Sequence, residues 1–484
     1  MQLYRKEGNT IQILSFPAEE IQKGEYVLIK DSNHDRSLVT QIIDVQFAAI
    51  PGILEELLRN STTDEHICGE NLDLLEVAPH VTYVQDARML ICKIRGTIQN
   101  GILSTNTGWL PSRASSSITK LSTASLLAQA RIGNDLPIDL GETRETSSVT
   151  IDAQMLDGKL NIVTGKKETG KSHMSKLLAL SLVDYGAPVV VLDLNGEYAK
   201  LGFSSDGQKN EYHRRVRVLT PGDNFKITLK QMKLRVMMNI LFHALHLPGA
   251  SAQEFRRIWR FLKDHDTLTM RELGEVIRNR RCNLHVRDAL CSRYYSLLDS
   301  GFFTDNHEEE TSLKKAFCSI HGGGALIINL QDISSINRQI VVEFMLGELV
   351  ELLTQSKLKA VFLFAEEAHL YLRETYWNDI VTRMRHFGIF TTFVTNQPNT
   401  IRENIYRQAD NIFLFNFTNE HDLEAVSRAS KVDAETVKSI ARELLPHHCL
   451  VLGKVVGDFP IVVKVRALDV QTMGQTRLFF TDEN

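Results

Sequence analysis

The spacing of hydrophobic and polar positions divides the chain into three regimes. Up to about residue 115, apolar residues alternate or run in short blocks: Thr10-Ile-Gln-Ile-Leu, Tyr26-Val-Leu-Ile-Lys and Leu38-Val-Thr-Gln-Ile-Ile-Asp-Val. Gly24 and Asp31-Ser-Asn separate these blocks, and Thr82–Val84, Ala87–Thr97 and Gly101–Leu103 resume the pattern. Short strands at this spacing, interrupted by one amphipathic helix over Pro51–Asn60, predict a small β-barrel that ends near Pro111. His66 and Cys68 have no companion ligands in this region and read as loop residues. Residues 116–150, rich in Ser and Thr, read as a connector with one helical segment around Ala124–Ala130.

Beyond residue 150 the period changes. Apolar strands (Leu160–Thr164, Pro188–Asp193, Ala325–Leu330, Ala360–Ala365, Ile389–Val394, Asn411–Phe417) alternate with helical spacing over His173–Tyr185, Ser334–Thr354 and Tyr376–His386. All-apolar strands separated by helices are the mark of a parallel sheet covered on both faces. The pattern is helical between residues 226 and 310, over Leu229–Leu247, Ala252–Leu262, Met270–Asn279 and Arg287–Leu298. Helices at Asp422–Ala429 and Ala434–Leu445 and strands at Cys449–Gly453 and Ile461–Val465 follow, and residues 466–484 show no periodicity. The resulting fold class is α/β: a barrel over residues 1–115, a connector over 116–150, a core over 151–225 and 311–465, and a helical insertion over 226–310.

The chemistry is concentrated in Gly165-Lys-Lys-Glu-Thr-Gly170-Lys171-Ser172, which follows the strand Leu160–Thr164 and opens a helix. The pattern G-x-x-x-x-G-K-[ST] wraps backbone N–H groups around a β-phosphate. In this reading Gly165, Lys166, Lys167, Glu168, Thr169, Gly170, Lys171, Ser172 and His173 bind the nucleotide. Lys171 reaches the β/γ oxygens, Ser172 coordinates Mg²⁺, and the helix points its positive dipole end at the same anion. The strand Ala360–Ala365 ends in Glu366-Glu367. Here Glu366 would hold Mg²⁺ and Glu367 would orient or deprotonate the attacking water. Adjacent strand residues point to opposite faces, so the pair must sit where the strand ends and the backbone turns. The strand Ile389–Val394 ends in Thr395-Asn396, and an amide at that tip can sense the γ-phosphate. Acidic groups in Asp193-Leu-Asn-Gly-Glu-Tyr198 also end a strand, where doubly wound sheets place ligands. The cofactors implied are ATP and Mg²⁺.

Composition narrows the function classes. The formal net charge of −4 over 484 residues argues against a wholesale nucleic-acid coat, but allows DNA in a small basic channel. The most basic stretch, Arg278–Arg287, reads first as a solvated face. Six scattered cysteines without a C-x-x-C pair fit a reducing compartment. The longest apolar run, Ile340–Leu353, is broken by Glu343, Gly347 and Glu348, short of the ~20 residues that a membrane span needs. A soluble cytoplasmic protein is expected.

Taken in order, these motifs resemble the HerA branch of the FtsK–HerA translocases. Phe364-Ala-Glu-Glu-Ala-His369 resembles that family's Walker B, and Arg385-His-Phe-Gly388 its R-K-F-G segment. Thr395-Asn-Gln-Pro-Asn399 is similar to S-Q-R-P-S, Asp193-Leu-Asn-Gly-Glu-Tyr198 to D-P-H-G-E-Y, and Thr418-Asn-Glu-His-Asp422 to the N-P-x-D element. The resemblance implies a RecA-like P-loop ATPase core with a helical insertion behind a small N-terminal β-barrel. It further implies a homo-hexamer that threads double-stranded DNA through a central pore, with Arg385 donated to the neighbour's site. Implied partners are a NurA-like nuclease, in DNA-end processing, or another effector such as a sirtuin-like enzyme, in antiphage defence. Where the family reads G-T-T-G-S-G-K-S, this chain has Lys166, Lys167 and Glu168 in place of T-T-G. That departure keeps open an alternative, a ring scaffold that gates an effector while hydrolysing ATP slowly. With no membrane anchor expected, a conjugative coupling ATPase is disfavoured.

Overall fold

A computed structural model describes residues 1–17, 19–32, 34–48, 86–104, 107–130, 133–355, 358–370 and 385–471. The helix expected over Pro51–Asn60, the strand Thr82–Val84, His66 and Cys68, most of Tyr376–His386 and the tail from residue 472 lie outside the described residues. No described helix is long and apolar enough to cross a membrane. The chain forms two compact units. One comprises residues 1–135, 139–152 and 414–466, and the other residues 136–138, 153–413 and 467–484.

The first unit contains the expected N-terminal antiparallel sheet. Its strand order is Gln2–Glu7, Thr10–Ser15, Arg88–Gln99, Arg36–Phe47, Tyr26–Asp31, Ser116–Leu121. Alternation puts Ile11, Ile13, Val27, Ile29, Leu38, Ile42, Leu90 and Ile94 into one core. Register shifts between Val39 and Thr40 and between Ile42 and Asp44 bend the long central pair. The Ser/Thr-rich stretch is more structured than its composition predicts, with strands at Ser116–Leu121, Pro137–Glu142 and Ser148–Asp152. Four of the six residues of Ser116–Leu121 are polar, and its partner Tyr26–Asp31 organises it. Residues 414–466 cluster in this unit.

The second unit is built on β1 (Leu160–Thr164), β2 (Pro188–Asp193), β3 (Val216–Leu219), β4 (Gly324–Asn329), β5 (Val361–Glu366), β6 (Ile389–Thr395) and β7 (Asn411–Leu414). These strands lie in the order β3-β4-β2-β5-β6-β1-β7, and the pairings from β3 through to β1 are parallel. β1 and β2 are almost wholly buried, with Asn161 and Thr164 of β1 buried among the apolar residues. Helix α1 (Lys171–Asp184) follows β1, and ten of its residues from Lys171 to Val183 are buried. The insertion contains α2 (Gly249–Asp264), α3 (Met270–Asn279) and α4 (Leu284–Asp299). α5 (Leu313–Ile320) and α6 (Ser335–Thr354) flank β4.

The single helix expected over Leu229–Leu247 is broken. A 3₁₀ turn at Leu229–Gln231 precedes a helix at Leu234–Asn239 and a π-turn at Ile240–Ala244. His246 then takes φ +49°, and Pro248 excludes Leu247 from the helical region. The strand β3 was not apparent from the sequence, because its four residues carry an exposed Arg217.

Gly388 sets the entry to β6. Its φ is +82°, and a Cβ there would lie 2.7 Å from the Lys359 carbonyl oxygen. Gly388→Ala is therefore expected to cost about 1–3 kcal/mol in equilibrium denaturant unfolding. An unchanged midpoint would contradict this.

Candidate nucleotide-binding site

The phosphate-loop residues converge at the C-terminal end of β1. Gly165 is buried directly after the strand, while Lys166, Lys167 and Glu168 are exposed. Gly170 caps α1 from the left-handed region (φ +116°), and no side chain occupies the cap. Ser172 and His173 lie in the first turn of α1. The Lys171 ammonium donates to the Lys166 carbonyl at 2.6 Å, and the Thr169 hydroxyl donates to the same oxygen at 2.8 Å. Burial pulls the Lys171 pKa down, opposed by the nearby carboxylates of Glu367, Glu197 and Glu366. Glu168 departs from ordinary backbone geometry, with φ at +63°. That region favours glycine, which the resembled pattern carries at this position.

The paired carboxylates come from β5. Glu366 is its last residue and is 2% exposed, and Glu367 forms the turn with φ +49°. The two side chains therefore escape the alternation of the strand. Asn396 follows the tip of β6, and its Nδ2 lies 3.4 Å from Glu367 Oε1. The Asn396 amide oxygen is buried with no hydrogen-bond partner among the described residues. His369 Nδ1 lies 3.3 Å from Glu367 Oε2 and 3.1 Å from Thr395 Oγ1. Burial raises the Glu367 pKa, against the pull of the Lys171 and Lys167 ammoniums.

Beneath this pair lies a second layer of charge. Asp193, at the end of β2, accepts from the backbone N–H groups of Glu197 at 2.9 Å and Tyr198 at 2.8 Å. The Asn195 N–H points at Glu366 Oε2 from 3.5 Å. Burial, then repulsion from Glu197 and Asp193, holds the Glu366 pKa well above its ordinary value. Lys176 is 1% exposed, with Nζ 3.8 Å from Glu197 Oε2 and 5.5 Å from the centre of the Tyr198 ring. Lys176 lies outside the sequence motifs. Its signal was legible, since it is a single cation between Met174, Leu177, Leu178 and Leu180 on a buried helix, one turn beyond Ser172.

Arg385 stands apart from these groups. Its guanidinium donates to Asp410 Oδ2 and to the Gln408 carbonyl, both at 2.8 Å. Asp410 in turn binds the backbone of Leu160, the first residue of β1. Leu160 is at the other end of β1 from Gly165, about 16 Å away at 3.3 Å per residue. Lys171, Ser172, Glu366, Glu367 and Asn396 thus belong to one end of the sheet, and Arg385 to the other.

The donor set fits a metal-bound triphosphate. The hydroxyl of Ser172 and the carboxylate oxygens of Glu366 suit a hard cation, and Asn396 offers an unused acceptor.

Two measurements follow from this geometry. Glu168→Gly is expected to stabilise the protein by about 0.5–1 kcal/mol, the relief of a left-handed non-glycine residue less the added entropy of the unfolded chain. A loss of stability would count against the strain. For Glu367 the folded pKa is raised above its ordinary 4.5, so its protonated form favours folding. That contribution is present at low pH and lost as pH rises through the folded pKa. The stability of nucleotide-free Glu367→Gln relative to the parent should therefore grow from pH 5 to pH 8. A difference independent of pH would refute the assignment.

Residues 138–349 match the family model described as the central domain of helicase HerA. The sequence matches none of the curated proteins compared with it. Among solved structures, the chain is similar to VirB4 of Thermoanaerobacter pseudethanolicus, with 15% identity and a TM-score of 0.52 over 70% of this chain and 98% of that one. It is also similar to the unbound form of the bacterial conjugative coupling protein TrwBΔN70, with 13% identity and a TM-score of 0.50 over 74% of this chain and 94% of that one. At such identities the likeness is one of fold. Residues 138–349 thus carry a likeness to the HerA central domain, and the fold of the chain is similar to those of VirB4 and TrwBΔN70.

Proposed function

We propose that the chain is the ATP-driven subunit of a hexameric ring that moves double-stranded DNA and serves a partner nuclease or another effector in the cytoplasm. One observation carries the reading: Lys171, Glu366, Glu367 and Asn396 meet at one end of a sheet in which β6 separates β1 from β5. The loop from Gly165 to His173 cradles the phosphates, and Lys171 leaves the Lys166 carbonyl for the β/γ oxygens. Ser172 and Glu366 hold Mg²⁺, which would neutralise charge on the phosphate oxygens. Glu367 takes a proton from water as its oxygen attacks the γ-phosphorus, and the bond to the ADP oxygen breaks. Its raised pKa suits that role, because a weakly acidic carboxyl is a stronger base. Asn396 orients the water through its unused amide oxygen.

Arg385 cannot reach its own loop from the far end of β1, which supports its donation to the neighbour's transferring phosphoryl group. A NurA-like nuclease and a sirtuin-like enzyme are the effector classes proposed, in end processing and in antiphage defence respectively. Glu168 supports a second reading. A strained acidic residue in the loop disfavours fast turnover, as a ring that scaffolds and gates an effector would require.

The test is ATP hydrolysis with and without double-stranded DNA. We expect DNA to stimulate the parent, and Lys171→Ala to abolish hydrolysis. Glu367→Gln should lower kcat by about 10²–10⁴-fold while retaining ATP binding and ring assembly. Hydrolysis indifferent to DNA and to any partner would sink the motor reading, and efficient translocation by the ring alone would sink the gate.

A further inference from the structure

Arg385 is braced although its side chain reaches the surface. Its side chain is 37% exposed, yet one guanidinium nitrogen donates both to Asp410 Oδ2 and to the Gln408 carbonyl. Asp410 is only 10% exposed and is itself held twice by β1. Its Oδ2 accepts from the Leu160 N–H at 3.2 Å, and its own N–H donates to the Leu160 carbonyl at 2.9 Å. Leu160 begins the strand that runs without interruption into the phosphate loop. An exposed ion pair adds little stability, so the bracing is better read as fixing a direction.

We infer that Asp410 is a positioning residue. It orients Arg385 for the neighbouring subunit's site and ties that arginine to the strand ending in this subunit's own phosphate loop. The inference rests on the reading of Arg385 as a donated group. Strain transmitted along β1 when its loop fills would move Leu160, Asp410 and Arg385 as one body. Nucleotide occupancy in one subunit thereby alters the geometry of the transferring phosphoryl group in the next. Asp410 offers Leu160 an acceptor oxygen and offers the guanidinium a negative charge as well, so Asp410→Asn keeps an acceptor and removes only the charge.

The test uses full-length rings. Asp410→Asn should keep ATP binding and assembly while lowering kcat by about 10–100-fold, the scale of a misplaced catalytic group. Mixing supplies the readout that a structural defect would not move. In rings exchanged between Asp410→Asn and Lys171→Ala subunits, the second variant has no working loop but an intact Arg385. Sites of the first kind then receive a well-placed arginine, and turnover should exceed either parent alone by about tenfold. Arg385→Ala mixed with Lys171→Ala is the control. If the control is rescued but Asp410→Asn is not, or if Asp410→Asn has the parent's kcat, the positioning role is wrong. If neither mixture is rescued, the donated-arginine reading fails and the inference fails with it.

Discussion

The site depends on a strand register. Thr164 of β1 pairs with Thr395 of β6, and Glu366 of β5 pairs with Val394 of the same strand. Gly165, Asn396 and Glu367 therefore leave the sheet at nearly the same height, side by side. Neighbouring strands are roughly 4.8 Å apart, so the loop and the carboxylates face each other across about two strand spacings, with Asn396 between them. A slip of one residue in either pairing would turn the alternating side chains to the opposite face. β1 and β5 are buried throughout and β6 nearly so, so the fit of particular side chains on both faces, and not a polar–apolar contrast, holds this register.

That arrangement brings charge into a place that disfavours it. Asp193 and Glu366 are buried at the ends of β2 and β5, and burial raises both pKa values. Lys176, pulled downward by the same burial, is the compensating cation. Buried ion pairs are poor sources of stability, because desolvation offsets much of the attraction. What the cluster supplies instead is a rigid floor. Asp193 closes the Asp193–Tyr198 loop on itself through two N–H groups, and Gly196 makes the turn with φ +71°. The backbone outliers Glu168 and Glu367 lie on the rim above that floor, and strain of this kind gathers where geometry serves chemistry.

The two ends of β1 do different work. One opens into the phosphate loop, and the other anchors Asp410 and through it Arg385. A five-residue buried strand is short and stiff, so it holds its two ends in a fixed relation.

Local sequence determined a good deal. The apolar runs of β1, β2, β4, β5 and β6, the Gly170-Lys171-Ser172 loop and the Glu366-Glu367 ending were all readable, because burial on both faces and phosphate binding each demand particular residues at fixed spacing. The alternation Ile11-Gln-Ile13 and its companions likewise announced an antiparallel sheet with one core face. Tertiary structure decided what spacing does not encode. Ser116–Leu121 and β3 are strands because a partner strand supplies hydrogen bonds, which segments broken by polar residues cannot advertise locally. The helix expected over Leu229–Leu247 is interrupted where Met232 and Lys233 take extended backbone, and it ends in a π-turn before Pro248. Strand order is set by crossover packing, so only the fold placed β6 between β1 and β5, Lys176 beneath Glu197, and Arg385 at the far end of the strand whose loop it cannot reach.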